Sequence, residues 1–382
     1  MQTILTAASL FTPLDLVRQP VVLVEDGKIL QVRSRENAEI PPGVRLLDFG
    51  ENILAPGFID IHIHGGAGHD VMESDFAALP ALGQFLAFHG VTSYCPTTVT
   101  APIDQTLRAL ERLASAIEKP ANGHARPIGV HLEGPFISHA KRGVHPPAYI
   151  KDGSLELFQQ FWNAARGQVS VLTIAPEIAN AIEVIAEAAR RGVCASIGHS
   201  NSTLEETNRA LQAGARHATH TFNAMRPLDH REPGILGAVL ADDRLTADII
   251  ADGIHVHPKV IELFLHSKGP GRAVLITDAI SATGMGDGRF RLGSLEVEVK
   301  GERCESEGRL AGSVLTMDRA VRNITTFTPS TLQTAVRLAT LNPARVLGIG
   351  DRKGILQPGA DADLVVLTPA GEVVQTIIGG IV

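Results

Sequence analysis

The hydrophobic positions of the chain form short apolar runs that alternate with stretches of helical periodicity. One unit shows the pattern clearly: an apolar run at 193–197 breaks at Gly198, and Ser202 with Glu205 predicts a capping box for a helix that ends near Gly214. His199 therefore comes just after the end of a predicted strand. Units of this kind, repeated along the chain, favour a parallel sheet.

A helix is also predicted over residues 181–191, before this run. Its apolar residues are expected to share one face, with Gly192 ending the helix; they are Ile182, Ile185, Ala186 and Ala189. Such a helix, apolar on one side and polar on the other, is typical of the outer layer of a barrel.

Polar side chains recur where the apolar runs end. Glu133, Glu177 and Asp278 each end one run, and His220 and His255 follow others. In a closed parallel barrel all strand ends of this kind point to one face. We therefore expect an α/β fold, a (β/α)8 TIM-like barrel in which these groups converge on one pocket.

Two segments near the termini predict a second, smaller unit. Residues 21–30 have the pattern of a hairpin with a turn at Asp26-Gly27, and residues 359–367 and 373–382 again predict short strands. Strands from both termini can pair only if the chain returns to its start. The expected division is a small β-sandwich domain from residues 1–55 and 346–382, and a barrel from residues 56–345.

The composition is that of an ordinary folded protein, with 382 residues, 44% of them hydrophobic and 20% charged. The net charge of -7 has the wrong sign for a protein that coats nucleic acid or an anionic membrane. Cys95, Cys194 and Cys304 are widely spaced, as expected for reduced thiols, and we expect neither export nor a membrane-spanning segment, because the first ten residues have no basic region and no run of 18 apolar residues occurs. We expect a cytoplasmic protein that acts on a small molecule.

Six side chains have the chemistry of a hydrolytic metal site, because imidazole and carboxylate are the usual ligands of zinc and similar ions: His62, His64, Glu133, His199, His220 and Asp278. His62 and His64 alternate along a predicted strand, so both rings should point the same way. Gly65-Gly66 follows, and we expect it to leave the backbone open beside them.

A histidine taken singly is better interpreted as an ordinary surface or core residue, and six of the 15 are interpreted in this way: His124, His139, His217, His230, His257 and His266. Glu133 alone would fit a salt bridge at the rim of the barrel equally well, and Glu177 is interpreted as structural. Asp278 follows an apolar run, where a carboxylate is costly to bury without a cationic partner. A metal site supplies one, and Asp278 could then act as a general base.

Seven motifs carry a resemblance to a known family: Pro56-Gly57-Phe58-Ile59-Asp60-Ile61-His62-Ile63-His64-Gly65, His131-Leu132-Glu133-Gly134-Pro135-Phe136, Gly198-His199-Ser200, His220-Thr221-Phe222-Asn223-Ala224-Met225, Asp252-Gly253-Ile254-His255, Thr277-Asp278-Ala279 and Leu310-Ala311-Gly312-Ser313. Together they resemble the amidohydrolase superfamily and, within it, the N-acetylglucosamine-6-phosphate deacetylases. The motifs follow the family's order and cover nearly the whole chain.

The resemblance implies a divalent metal held by Glu133, His199 and His220, with Asp278 as the catalytic acid and base. Zinc is the first expectation, and iron, manganese and cobalt stay open. Because His62 and His64 are both present, the resemblance also allows a second ion that Glu133 bridges to the first.

The same resemblance implies a set of substrate-binding residues, namely Val144, His145, Asn223, Ala224, Arg231, Asp252, His255, Leu310, Ala311 and Gly312. It also implies a homodimer, because in such enzymes the arginine at the position of Arg231 reaches the phosphate of the neighbouring subunit. An acidic protein needs a local clamp of this kind to hold a phosphate.

The expected reaction is metal-dependent deacetylation of N-acetyl-D-glucosamine 6-phosphate to D-glucosamine 6-phosphate and acetate, in amino-sugar catabolism. One alternative is another amidohydrolase, acting on N-acyl amino acids or cyclic amides. Those enzymes often bridge two metals with a carboxylated lysine, whereas Glu133 occupies that place here. A second alternative is a barrel that has lost activity and serves only in assembly.

Overall fold

Eight parallel strands form a closed barrel in the computed structural model, which describes residues 2–37, 43–73 and 77–381. The barrel closes where Asp278 donates its backbone N–H to the carbonyl of His62 over 2.9 Å. The strands are Phe58–Ile63, Val91–Thr98, Val130–Glu133, Val169–Ile174, Cys194–Ile197, His217–Ala218, Thr246–Ile250 and Ala273–Ile276. The expected α/β barrel is confirmed. A short strand, Arg126–Pro127, extends the sheet beside Val91–Thr98.

Helices follow the barrel strands and bury one face against them. They are Ala78–Phe88, Ile103–Glu118, Leu155–Ala164, Ala181–Arg190, Leu204–Ala213, Gly234–Ala241, Pro258–Lys268, Met317–Phe327, Leu332–Leu338 and Leu341–Val346, with 3-10 turns at Arg35–Asn37, His139–Lys141 and Pro147–Tyr149. Among the described residues, no helix is long and apolar enough to cross a membrane. The three cysteines are buried and free.

The buried face of helix Ala181–Arg190 differs from the expectation. Ala181, Val184, Ile185 and Ala188 are buried, whereas Ala186 is exposed. The apolar stripe starts one residue earlier than predicted, because alanines on both sides of this helix give no contrast between the faces.

The capping box of the next helix lies one residue later than predicted. Thr203, not Ser202, caps helix Leu204–Ala213, and its partner is Glu206 rather than Glu205. The hydroxyl of Ser202 is buried and hydrogen bonds to Ser200 and Thr207 instead. The helix ends at Gly214, as expected.

Strands from both termini share one mixed sheet outside the barrel. Leu364–Leu367 pairs with Ile53–Pro56, which also pairs with Ser9–Phe11; Leu16–Arg18 and Val373–Ile377 complete this sheet. A second sheet holds Gln2–Thr6, Pro20–Glu25, Lys28–Ser34 and Arg45–Asp48, with the predicted turn at Asp26-Gly27. The two sheets pack around a hydrophobic cluster separate from that of the barrel. The division at residues 55 and 346 stays a prediction.

A small antiparallel sheet follows the last barrel strand and borders the open face of the barrel. Its strands are Gly288–Leu292, Leu295–Lys300, Arg303–Ser306 and Arg309–Leu310. Val99, Ile280 and Ala311 pack in its own apolar cluster. Arg309 donates from its guanidinium to the carbonyl of Gly143 over 3.0 Å, so this sheet contacts the segment that carries His145. A two-stranded ribbon, Gly65–Gly66 with His69–Asp70, lies at the same end.

Candidate metal centre

The six predicted metal-site residues converge at the carboxyl ends of the barrel strands. His62 and Glu133 lie on strands, and His64 follows directly after one. The other three, His199, His220 and Asp278, come two residues after their strands, and all three have left-handed backbone conformations with φ of 46°, 30° and 50°. Non-glycine residues pay a conformational cost there, and such strain is concentrated at functional sites.

One group of candidate ligands is centred on Glu133. Its Oε1 atom lies 3.1 Å from Nε2 of His199 and 3.0 Å from Nε2 of His220. The two imidazole nitrogens are themselves 3.1 Å apart. All three groups are buried, so they meet in a space from which the protein excludes bulk water.

A second group lies on the other side of the same carboxylate. His62 and His64 have their Nε2 atoms 3.2 Å apart, which confirms that their alternation aims both rings the same way. Nε2 of His64 is 3.2 Å from Oδ1 of Asp278 and 3.2 Å from Oε2 of Glu133. Oε2 of Glu133 thus faces His64, whereas Oε1 faces His199 and His220 and also lies 3.5 Å from Nε2 of His62.

The hydrogen bonds of the histidines fit a cation-binding role. Nδ1 of His199 faces the carbonyl of Lys141 at 2.9 Å, and Nδ1 of His64 faces the carbonyl of Thr97 at 3.0 Å. A carbonyl can only accept, so each Nδ1 carries a proton, and in the neutral ring Nε2 presents its lone pair to the centre. There the lone pairs face carboxylate oxygens, and a positive charge between them removes the repulsion. The donor set therefore fits a divalent metal.

The electrostatics of the centre also call for positive charge. Burial alone would raise the pKa of Glu133, but attraction to His62 and hydrogen bonds from other histidines hold it well below its usual value. Burial likewise opposes the charged form of His64, yet Asp278 and Glu133 raise the pKa of that imidazole to about 10. Two buried carboxylates thus recruit protons onto neighbouring rings, and a divalent ion satisfies the same demand.

His145 lies beside the centre and differs from the other histidines in its proton position. Its Nε2 is 3.4 Å from Oε2 of Glu133, close enough for it to be counted with the candidate ligands. However, the backbone N–H of Thr100 donates to its Nδ1 over 3.3 Å. The neutral ring then carries its proton on Nε2, so His145 is better suited to donate a hydrogen bond than to bind a metal.

The loop of Leu310, Ala311 and Gly312 runs directly beside Asp278. Ser313 donates its N–H to the carbonyl of Asp278 over 2.8 Å. A Cβ on Gly312 would lie 3.0 Å from that carbonyl and 2.3 Å from a methyl group of Ile280. Glycine therefore allows the loop to approach the candidate catalytic aspartate.

The remaining predicted substrate residues lie in four places. Val144 packs against the apolar cluster of the small sheet. The carbonyl of Ala224, next to Asn223, accepts from the backbone of Ser200. Asp252 binds the ring of His255 at 2.6 Å. Arg231 is exposed, and its guanidinium has no ion pair within the described part of the chain. Among the described residues, Arg231 thus forms no ion pair with the candidate metal centre of its own chain.

Two interpretations of individual residues can now be checked. Gly65 does not open the backbone beside the ligands: a Cβ there would lie 2.2 Å from the carbonyl of His69, so the glycine makes room for the ribbon and not for a ligand. Glu177 is structural, as expected, because its carboxylate accepts from the hydroxyl of Ser200 and the backbone of Asn201.

Sequence reasoning missed two buried aspartates next to the metal ligands. Asp60 accepts from the hydroxyl of Thr277 over 2.5 Å, and Asp248 accepts from His217 over 3.1 Å. The signal was present, because both are charged residues inside otherwise apolar strands, the feature that singled out Asp278.

Comparison with known proteins agrees with this geometry. A profile of the amidohydrolase family matches residues 53–382. The N-acetylglucosamine-6-phosphate deacetylase of Bacillus subtilis (strain 168) is 37% identical over 375 residues, which cover 97% of this chain and 94% of that protein. This chain belongs to the N-acetylglucosamine-6-phosphate deacetylases of the amidohydrolase family. It is therefore a hydrolase, and its candidate ligand groups indicate a divalent metal as cofactor.

Other members of the family are equally similar. The human N-acetylglucosamine-6-phosphate deacetylase is 39% identical over 389 residues, covering 97% of this chain and 94% of that protein. The N-acetylgalactosamine-6-phosphate deacetylase of Escherichia coli O157:H7 is 38% identical over 365 residues, covering 94% and 96%. A Mycobacterium smegmatis N-acetyl-D-glucosamine-6-phosphate deacetylase, solved as a variant in complex with N-acetyl-D-glucosamine-6-phosphate, superposes with a TM-score of 0.93 at 34% identity, covering 99% of this chain and 98% of that one.

Proposed function

We propose that this deacetylase hydrolyses N-acetyl-D-glucosamine 6-phosphate to D-glucosamine 6-phosphate and acetate, in amino-sugar catabolism. The observation that carries the proposal is the convergence of Glu133, His199 and His220 within about hydrogen-bond distance of one another, beside the carboxylate of Asp278. The similarity to deacetylases over nearly the whole chain supports the substrate class.

Glu133, His199 and His220 would hold the divalent metal, and His62 with His64 would hold a second ion. A bound divalent ion lowers the pKa of water toward neutrality and polarises a carbonyl oxygen. The contacts of the Glu133 carboxylate with both histidine groups support a bridge between two sites. Zinc suits the imidazole and carboxylate donors, and iron, manganese and cobalt suit them as well.

Asp278 would act first as a base and then as an acid. It takes a proton from the attacking water as the new C–O bond forms at the acetyl carbon, and returns that proton to the nitrogen as the C–N bond breaks. Its position beside His64, at the end of a barrel strand, supports this role. Acetate and the free amine are the products, so atoms and protons balance.

His145 would stabilise the negative charge that develops on the acetyl oxygen. Its Nδ1 accepts from Thr100, which leaves an N–H on Nε2 directed toward the centre. A preorganised donor of this kind is worth the most in a dry site.

Substrate binding would involve the groups around the centre: Val144, Asn223, Ala224, Asp252, His255 and the loop of Leu310, Ala311 and Gly312. Arg231 would bind the phosphate of the neighbouring subunit in a homodimer. Its unpaired guanidinium supports this assignment, and so does an adjacent apolar groove of about 700 Å³ lined by Leu204, Leu228 and Leu240. Leu228 is 56% exposed, and a partner subunit would cover this apolar side chain.

The free, buried cysteines are consistent with the proposed cytoplasmic location.

Acetate release tests the proposal directly. The enzyme should release acetate from N-acetyl-D-glucosamine 6-phosphate much faster than from N-acyl amino acids. The galactosamine isomer belongs in the same assay, because a relative at 38% identity bears its name. Faster turnover of the galactosamine isomer would change the assigned sugar but keep the deacetylation, whereas no turnover of either would overturn the proposal.

A further inference from the structure

His220, like His62, is held differently from the candidate metal ligands His199 and His64. The rings of His199 and His64 are fixed through Nδ1 by backbone carbonyls. Nδ1 of His220 is buried and has no hydrogen-bond partner in the described part of the chain. Metal-binding histidines are usually oriented by a hydrogen bond at the second ring nitrogen. The orientation of the His220 side chain must therefore be set by contacts outside its imidazole ring.

The backbone of His220 supplies the alternative. The residue follows strand His217–Ala218, which has only two residues and therefore few ladder hydrogen bonds to fix what comes after it. Its φ of 30° lies outside the regions that L-residues prefer. A strained residue after a short strand keeps its conformation only when the surroundings impose it.

Asp248, on the neighbouring strand Thr246–Ile250, holds the backbone of His220 in this conformation. Its Oδ1 accepts a hydrogen bond from the backbone N–H of His220. The backbone carbonyl of the same residue accepts from the N–H of Thr221 over 2.9 Å. Asp248 thus binds two successive backbone amides at the point where the chain turns to aim the imidazole at Glu133.

Asp248 is itself fixed from the other side. Its Oδ2 lies 3.1 Å from Nε2 of His217, and Nδ1 of His217 lies 2.7 Å from the hydroxyl of Thr246. Both carboxylate oxygens of Asp248 have hydrogen-bond partners, and Asp248 and His217 are fully buried. The carboxylate cannot turn away without losing a buried hydrogen bond.

We propose that Asp248 is a positioning residue for the metal centre: its carboxylate holds the backbone of His220 so that Nε2 of that histidine reaches the ion bound at Glu133. The inference rests on the proposed function, since it assumes that His220 is a metal ligand. The two carboxylate oxygens of Asp248 contact His217 and His220, so Asp248 would act on the metal only through His220. Loss of such an outer partner typically weakens metal binding by about 10- to 100-fold.

The test measures the affinity of the metal-depleted protein for Zn²⁺ alone, by competition with a chromophoric chelator. Asp248→Ala removes the acceptor and should weaken Zn²⁺ binding within that range. Asp248→Asn keeps an oxygen that can accept from the N–H of His220 and should restore most of the affinity. At saturating metal, Asp248→Ala should lower kcat more than it changes KM, because substrate contacts are intact.

A matched control separates positioning from general loss of stability. Asn342 is equally buried and donates to the carbonyls of Pro270 and Ala273, at the opposite end of the barrel. Asn342→Ala should destabilise the protein in urea but leave Zn²⁺ affinity at the wild-type value. If Asp248→Ala does not fold, His217→Phe replaces it, because it frees the carboxylate and should also weaken Zn²⁺ binding.

The outcomes are distinct. If Asp248→Ala binds Zn²⁺ with wild-type affinity, the inference is overturned. If Asp248→Ala does not fold, wild-type Zn²⁺ affinity in His217→Phe overturns it instead. Equal loss in Asp248→Asn and Asp248→Ala would also overturn it, because the charge and not the acceptor would then matter. A wild-type protein that binds no Zn²⁺ would instead contradict the proposed function.

Discussion

Nε2 of His199 and Nε2 of His220 lie 3.1 Å apart, and each also lies within 3.1 Å of the same oxygen of Glu133. The Nδ1 proton of His199 is assigned by the carbonyl of Lys141, so its Nε2 lone pair points at this contact. The lone pair of His199 and the carboxylate oxygen repel each other at this distance, and a cation between them removes the repulsion. The account of the active site depends on this relationship.

Asp278→Asn should abolish most of the turnover while metal stays bound. Asparagine has nearly the same shape but cannot accept a proton, so we expect kcat to fall by about 10²- to 10⁴-fold, the usual contribution of a general acid and base. Acetate release and elemental analysis on the same sample check this. An Asp278→Asn variant with near-normal turnover and bound metal would refute the assigned role.

Arg231→Ala should raise KM for the phosphorylated substrate far more than for unphosphorylated N-acetyl-D-glucosamine. The exposed guanidinium has no partner within the described part of its own chain, so its removal should cost the charge-assisted contacts to phosphate and little else. Arg209→Ala, an exposed arginine on helix Leu204–Ala213, is the matched control. Equal changes in KM for both sugars would remove the phosphate role.

Thr203→Ala should destabilise the protein by about 1 kcal/mol, the usual value of an N-cap. The Thr203 hydroxyl accepts from the N–H of Glu206 over 3.2 Å, and the Glu206 carboxylate accepts from the N–H of Thr203 over 2.9 Å. The midpoint of urea unfolding measures the loss. Thr203→Ser keeps the hydroxyl and should stay close to wild type, and an equal shift in both variants would contradict the capping role.

Asp318 should contribute stability that acid removes. Burial opposes its charged form, but hydrogen bonds from His89 and Thr316 outweigh burial and lower the pKa of Asp318 to about 2, from 3.8. A lowered pKa stabilises the fold above pH 3.8 and loses that effect as the pH falls toward 2.

Over that interval the wild type should lose about 2 kcal/mol more than Asp318→Asn. Urea unfolding at several acid pH values measures the difference. Asp104→Asn, in an exposed pair with Arg108, should change the acid dependence little. Parallel acid curves for the wild type and Asp318→Asn would contradict the prediction.

The barrel and the polar residues at its open face could be predicted from the sequence alone. Strand ends in a parallel barrel share one side, so apolar runs that end in polar residues locate Glu133 and Asp278 without any knowledge of loops. The alternation of His62 and His64 predicts a shared direction for the same reason, since strand geometry fixes it.

Features set by contacts between distant segments could not be predicted in the same way. The capping residue is Thr203 and not the adjacent Ser202, whose hydroxyl binds those of Ser200 and Thr207, and the sequence pattern does not distinguish these two neighbouring hydroxyls. The role of Gly65 depends on the path of the ribbon that returns to it. The proton position on His145 depends on Thr100, which lies far away along the chain.

The metal content of the enzyme tests the central claim most directly. Protein purified without added metal should contain at least one divalent ion per chain by elemental analysis, lose acetate release after chelation, and regain it when one divalent ion is restored. Glu133→Gln should fail to regain it, because the carboxylate shared by both histidine groups is lost. Full activity in protein shown to be free of metal would contradict the account.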